Sequence, residues 1–250
     1  MNYFQLLTIG LIFFLASMLQ GAVGFAFALL VMPVLVWTGI SLSEAVAMVA
    51  VTGAVQLLVA AYQLRLDVRW REVGLATFVR YLTLPLGILL LVYIDNLDRT
   101  QMKQILGALV LIAVASQMLW PVQPRERLHP AWAGLAFSAS GLMNGLAGIG
   151  GPPLVLWVMA HRWSNREIRA FLQTTFLLAT PLQITLLYTM TRHNPGAAMA
   201  YGLLFTPVAA VGSLAGVRLG NHIDRGRLRQ VAYGILVITA LVSIAAPAFG

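Results

Sequence analysis

The sequence predicts an all-α polytopic membrane protein made of two inverted repeats, each a glycine-broken re-entrant hairpin followed by three transmembrane helices. Three observations predict it. First, the 250-residue chain is 60% hydrophobic and 10% charged, with mean hydropathy +0.84; a soluble domain runs about 45–50% apolar and about 25% charged. Second, the apolar residues fall into stretches of membrane-crossing length. Third, landmarks of the first half recur in the same order in the second.

Read from charge to charge, the stretches are 4–38, 44–63, 72–93, 103–121, 130–160, 170–191, 196–217 and 227–249. Six of them fit one crossing each at about 20 apolar residues per span. The stretch 4–38 is too long: as helix it would measure roughly 52 Å, against a hydrocarbon core of about 30 Å. The stretch 130–160 has the same excess. Gly21 and Gly24 interrupt the first, and Gly145, Gly148, Gly150 and Gly151 the second. Each therefore reads as two helical arms joined by a non-helical tip. Met1–Phe4 carries no basic side chain and the apolar run continues past any cleavage point, so the first stretch reads as mature fold rather than signal peptide.

The duplication shows in the order of landmarks. Gln20-Gly-Ala-Val-Gly24 matches Asn144-Gly-Leu-Ala-Gly148, and Ser43-Glu44 matches Arg166-Glu167. Leu84-Pro85 answers Thr206-Pro207, and Lys103-Gln104-Ile105 answers Arg229-Gln230-Val231. The repeats are expected at 1–121 and 122–250.

Loop charges decide between topologies. If every stretch crosses once, Lys and Arg divide almost evenly between the two faces. If the two long stretches are hairpins, Arg65, Arg69, Arg71, Arg125, Arg127, Arg162, Arg166, Arg169, Arg218, Arg225, Arg227 and Arg229 share one face. The other keeps only Arg99, Lys103 and Arg192. Such asymmetry is what the positive-inside rule expects. A hairpin plus three crossings is an odd number, so the halves insert with opposite orientation, as in many transporters. Both termini are expected on the non-cytoplasmic side.

The tip Gly148-Ile-Gly-Gly-Pro-Pro153 is the most informative segment. Its glycines let the backbone turn tightly and approach a ligand. Pro152 and Pro153 suit a first helical turn, and a helix starting inside the membrane presents N–H groups and a positive dipole end to an anion. A packing kink is the competing reading. The partner tip adds Gln20, Gly21 and Gly24, and Asn144 and Gly145 sit at the corresponding place in the second half. Phe25, Phe27 and Trp157 read as packing. Thr52, Gln56, Gln173, Thr174 and Thr175 lie in the first crossings after each hairpin, either as a lining for the tips or as interhelical hydrogen bonds. Arg80 lies about 12 Å along its helix from Glu72; it either contacts the substrate or snorkels to the interface. Gly212, Gly216 and Gly220 form a small-residue packing stripe.

Several chemistries are excluded or unsupported. All eight acidic residues lie in connectors or at span ends, so no carboxylate relay crosses the membrane; Glu44 and Glu167 are expected to cap helices. His129, His161, His193 and His222 have no metal or nucleophile spacing. Zero cysteines exclude thiolate sites and thiol catalysis. There is no phosphate loop or dinucleotide fingerprint. The chain is not expected to be an enzyme or to carry a cofactor or metal. The net charge of +8 sits in short connectors, which argues for topology rather than nucleic acid; the partners expected are the lipid bilayer and a small anion.

Gln20-Gly-Ala-Val-Gly-Phe25, Gly145-Leu-Ala-Gly-Ile-Gly-Gly-Pro-Pro153 and Asp67-Val-Arg-Trp-Arg71 resemble the sulfite exporter TauE/SafE family, over essentially the whole chain. That resemblance implies a small bacterial inner-membrane permease for sulfur-containing anions such as sulfite, sulfoacetate or other sulfonates. Two features depart from the second half's pattern. The first tip has Ala26-Phe27 where the second has Gly150-Gly151, and Pro85-Leu-Gly87 lacks the further glycine seen at Gly212 and Gly216. The first half is therefore expected to pack more loosely on its partner. The expected function is export of the anion by alternating access, held between the two tips by backbone N–H groups, Gln20, Asn144 and Arg80. An anion-selective channel and a non-transport intramembrane enzyme or assembly protein are the alternatives.

Overall fold

The computed structural model describes residues 3–23, 27–119, 124, 128–191, 195–220 and 225–245. Among them the chain is helical throughout, with no strand. The elements are α1 (Tyr3–Val23), α2 (Phe27–Trp37), α3 (Leu42–Gln63), α4 (Trp70–Asp95), α5 (Arg99–Leu119), α6 (Pro130–Ala147), α7 (Gly151–Met159), α8 (Asn165–Met190), α9 (Pro195–Gly220) and α10 (Arg225–Ala245). Helices α3, α4, α5 and α8, and Pro195–Gly216 of α9, are long and apolar enough to cross a membrane. Their outward sides carry Leu58, Leu75, Phe78, Leu82, Leu86, Leu89, Ile112, Leu203 and Leu214 in the open. Such a belt is unusable in water and natural against lipid. The protein is an all-α polytopic membrane protein.

Several helices start a turn earlier than the apolar stretches, because their first turns are charged or capped. Ser41 caps α3: its hydroxyl accepts from Glu44 N–H at 3.3 Å, and Glu44 Oε2 accepts from Ser41 N–H at 3.1 Å. Ser164 and Glu167 repeat the arrangement on α8, at 3.2 and 2.8 Å. These capping boxes give both glutamates their job.

Both long stretches break into two arms. α6 ends on Gly148, whose φ of +68° suits glycine. Gly148 N–H donates to Asn144 O at 2.9 Å and Ile149 N–H to Met143 O at 3.2 Å, closing the helix end. The chain then reverses: Phe137 on α6 meets Trp157 on α7, ring centroids 4.8 Å apart. In the first half Phe13 of α1 meets Phe27 of α2 at 5.6 Å. The turn between them, with Gly24 and Phe25, lies outside the described residues.

Packing is reciprocal between the halves. α1 runs along α9 as α6 runs along α4; α3 packs on α9 as α8 packs on α4; α5 meets α10, and α3 meets α8. At the α1–α9 seam, a Cβ on Gly212 or Gly216 would strike the carbonyl oxygen of Phe14 or Met18. The expected looseness of the first half is not found. At the α4–α6 seam a Cβ on Gly87 would lie 2.9 Å from Gly145 Cα, and one on Gly145 would strike Leu84 O. α6 supplies Gly141 and Gly145 where α4 has fewer small residues, so the backbones still approach closely.

The connectors sort into two ends. Arg69 Nη2 pairs with Glu167 Oε1 at 2.7 Å and Arg166 Nη2 with Asp67 Oδ2 at 2.9 Å, which brings loops 64–71 and 161–169 together. Eight single crossings would put these loops on opposite faces; two hairpins put them on one. At the far end of α4, Asp95 accepts from Leu42 N–H at 2.9 Å and Ser43 Oγ at 2.6 Å. Because the chain has no cysteine, the arrangement is directly testable. Asp67→Cys with Arg166→Cys is expected to be joined by a short bis-thiol reagent in membranes, whereas Arg99→Cys with Arg166→Cys is not, as read by a mobility shift after proteolysis between residues 122 and 129.

Candidate functional site

Both broken stretches and the first crossing after each enclose a cavity of about 130 Å³, room for several waters or a small oxyanion. Its walls come from Gln20 at the end of α1, Phe27 at the start of α2, Val49 and Gly53 on α3, Asn144 and Gly148 at the end of α6, Gly151 and Pro152 at the start of α7, and Gln173, Phe176, Thr180 and Gln183 on α8. Among the described residues no charged side chain lines it. Its polar surface consists of neutral amides, a hydroxyl and backbone.

The second tip is held by a small network. Asn144 Nδ2 donates to Gln183 Oε1 at 3.0 Å, and Gln183 Nε2 donates back to Asn144 O at 3.0 Å. Ser140 Oγ donates to Gly150 O at 2.6 Å. A new helix normally leaves four backbone N–H groups unpaired, but Pro152 and Pro153 have none to leave. With Gly148 and Ile149 N–H spent on closing α6, the N–H groups of Gly150 and Gly151 have no hydrogen-bond partner among the described residues. The amides of Gln20 and Gln173 likewise have no protein hydrogen-bond partner among them.

Gly151 and Gly150 differ sharply. A Cβ on Gly151 meets nothing within 4 Å, whereas one on Gly150 would lie 2.8 Å from Asn144 Cβ and 2.8 Å from Ser140 O. Gly151 faces open space and Gly150 is locked into the tip.

Of the residues expected at the site, the cavity takes in Gln20, Asn144, Gly148, Gly151, Pro152 and Gln173. Gly24 lies outside the described residues. Gly21 and Pro153 do not line the cavity; Gly145 packs on α4. Thr52 Oγ1 donates to Gly202 O at 2.8 Å across the α3–α9 seam, and Gln56 Nε2 to Ser17 Oγ at 3.2 Å. Thr174 is buried with its hydroxyl unpartnered. Arg80 is fully buried and so does not snorkel; it lies between α4 and α8, its Nη1 donating to Thr175 O at 2.9 Å. Phe27 is both a cavity wall and a packing residue, and Trp157 packs against Phe171 at 5.2 Å. Sequence reasoning missed Gln183, Thr180 and Ser140. An amide two residues after Pro181 inside an apolar span was the available signal for Gln183.

A second cavity, about 240 Å³, lies among Gln5, Thr38, Glu44, Ala197 and Tyr201. Its charged wall is the carboxylate of Glu44, which does not suit an anion.

Bundle and cavity together define a polytopic membrane protein with a neutral, half-open cavity walled by both broken stretches, the class to which permeases belong. The sulfite exporter TauE/SafE family profile matches residues 9–243, and the chain belongs to that family. It is similar to a protein of Cupriavidus necator described as a probable sulfite/organosulfonate exporter TauE, with 26% identity over 221 residues, 87% of this chain and 85% of that one. No solved structure matches the chain.

The two tip glycines predict opposite outcomes. Gly150→Ala overpacks the tip and is expected to cost about 1–3 kcal/mol, lowering Tm in detergent. Gly151→Ala is expected to leave Tm unchanged.

Proposed function

We propose that the protein exports a small sulfur-containing anion, sulfite or an organosulfonate, by alternating access, and that the anion is held between the two glycine-rich tips. The observation that carries this reading is the cavity between the second tip and the flanks of the first, with an unpaired N–H at Gly151 and amides at Gln20 and Gln173 on its wall. Those are donors without counter-charge, suited to an oxyanion that must also leave. The family and the name of the Cupriavidus necator relative support the substrate class.

The two halves act as inverted repeats, 1–121 and 122–250, rocking against each other around the tips. Reciprocal packing of equivalent helices supports this reading. The loops rich in arginine face the cytoplasm of a bacterial inner membrane, which puts both termini on the other side. An inside-negative potential is worth about 2.3 kcal/mol per charge per 100 mV. It drives an anion outward without a coupling ion, and among the described residues the cavity walls contain no carboxylate to carry a proton inward.

Sulfite flux from proteoliposomes under an imposed potential tests the reading. Potential-driven efflux is expected, falling at least tenfold in Gly151→Val, whose side chain fills the open space beside the tip. Absence of flux for sulfite and for every sulfonate, with folded protein, overturns it; flux at channel rates without saturation replaces the carrier by a channel. The orientation is checked separately in intact cells. Arg99→Cys is expected to react with a membrane-impermeant maleimide and Arg65→Cys to be protected.

A further inference from the structure

We infer that Arg80 is a second anion station, between α4 and α8, screened from the central cavity by the ring of Phe176. The inference rests on the reading that the chain carries an oxyanion. Arg80 is the largest fully buried side chain among the described residues. Its Nη1 reaches Thr175 O, but Nε and Nη2 have no hydrogen-bond partner. Those two nitrogens form the edge of the guanidinium that grips carboxylates and other oxyanions. Arg69 uses the same edge on Glu167, with Nε and Nη2 at 3.0 and 2.7 Å from Oε1. Arg80 presents it at membrane depth, about 15 Å along α4 from Trp70, far from the acidic residues in the connectors.

A buried, half-paired guanidinium is costly, and replacing such a group by an apolar residue of similar size is often stabilising. In the register that aligns Leu84-Pro85 with Thr206-Pro207, the counterpart of Arg80 is Gly202. There the corresponding seam closes on Thr52 Oγ1 and Gly202 O, and a Cβ would lie 2.7 Å from Met48 O. One half closes this seam with glycine; the other keeps a cation in it. Nearby polar groups share the lack of partners. Thr77, one turn before Arg80, and Thr174 and Thr175 on α8 all have buried hydroxyls without a hydrogen bond.

Phe176 connects this station to the first. Its ring lines the central cavity, and the Arg80 guanidinium stands over it at 4.6 Å from the centroid. An anion in the cavity and the open edge of Arg80 are thus neighbours of one aromatic ring, and rotation of that ring joins them. The ligand is a small oxyanion with two oxygens to offer the fork, as sulfite and sulfonates have.

The test compares wild type with Arg80→Met and Arg80→Lys as full-length protein, using sulfite as the probe. Arg80→Met is expected to match or exceed the wild-type Tm without sulfite, to lose the sulfite-induced rise in Tm, and to lose at least tenfold in flux. Arg80→Lys keeps the charge but not the fork and is expected to raise KM about tenfold at unchanged Tm. It answers the same question if Arg80→Met does not fold. Wild-type flux and KM in both variants, or a lower Tm with unaltered KM, assign Arg80 to holding α4 against α8 and overturn the station while the exporter reading stands. Failure of the wild type itself to move any anion strikes the exporter reading instead.

Discussion

Inside a bilayer no water is available to satisfy a broken helix, so every exposed N–H and C=O must find a partner in the protein or in what the protein binds. The turn between α6 and α7 meets that demand almost completely. Gly148 takes a left-handed conformation and, with Ile149, closes the end of α6 on Asn144 and Met143. Ser140 satisfies Gly150 O. The paired prolines remove two of the donors a new helix would expose. What is left is the N–H of Gly150, packed against Asn144 and Ser140, and that of Gly151, which lies beside open space. The double proline does not simply begin a helix; it narrows an anion-attracting helix start to two groups.

Holding such a turn at depth requires that the surrounding helices come very close. Gly87 against Gly145, and Gly212 and Gly216 against α1, do this by bringing backbone onto backbone. Dispersion and close packing supply the association that the hydrophobic effect cannot supply in lipid. The amide pair Asn144–Gln183 then ties the tip to α8, and capping boxes at Ser41 and Ser164 start the two helices that wall the cavity. The ion pairs Arg69–Glu167 and Arg166–Asp67 join connectors of opposite halves. They are exposed contacts of modest strength.

Much of this was legible in the sequence, for physical reasons. An apolar run too long for one crossing must break, and glycine and double proline mark where. Arginine distribution pointed to the hairpin arrangement because only that arrangement gathers it on one face, and the ion pairs between loops 64–71 and 161–169 agree with it. What stayed hidden was direction. Nothing in Gly145-Leu-Ala-Gly-Ile-Gly-Gly says that Gly145 faces α4, that Gly150 is packed or that Gly151 faces space; side-chain direction follows from the three-dimensional course of the turn. Gln183 was hidden for the same reason, since its partner lies 39 positions away. Thr52 and Gln56 were legible as polar groups in a span but not as groups already spent on Gly202 and Ser17.

On the proposed carrier reading, the placement of charge follows from what a carrier must do. Binding has to be favourable enough for an anion to enter and weak enough for it to leave. A guanidinium lining a low-dielectric chamber would hold a sulfur oxyanion strongly, and release would become the slow step. Neutral amides and two N–H groups bind more gently, at the cost of a weaker pull. Setting Arg80 behind Phe176 reconciles these demands. On the two-station reading its positive charge lowers the energy of an anion in the chamber at all times, while the short-range grip of its fork is available only when the ring moves aside. On the exporter reading the direction of net flux is set by the membrane potential acting on the anion, and the difference between Gly202 and Arg80 bears instead on how tightly the anion is held along the way.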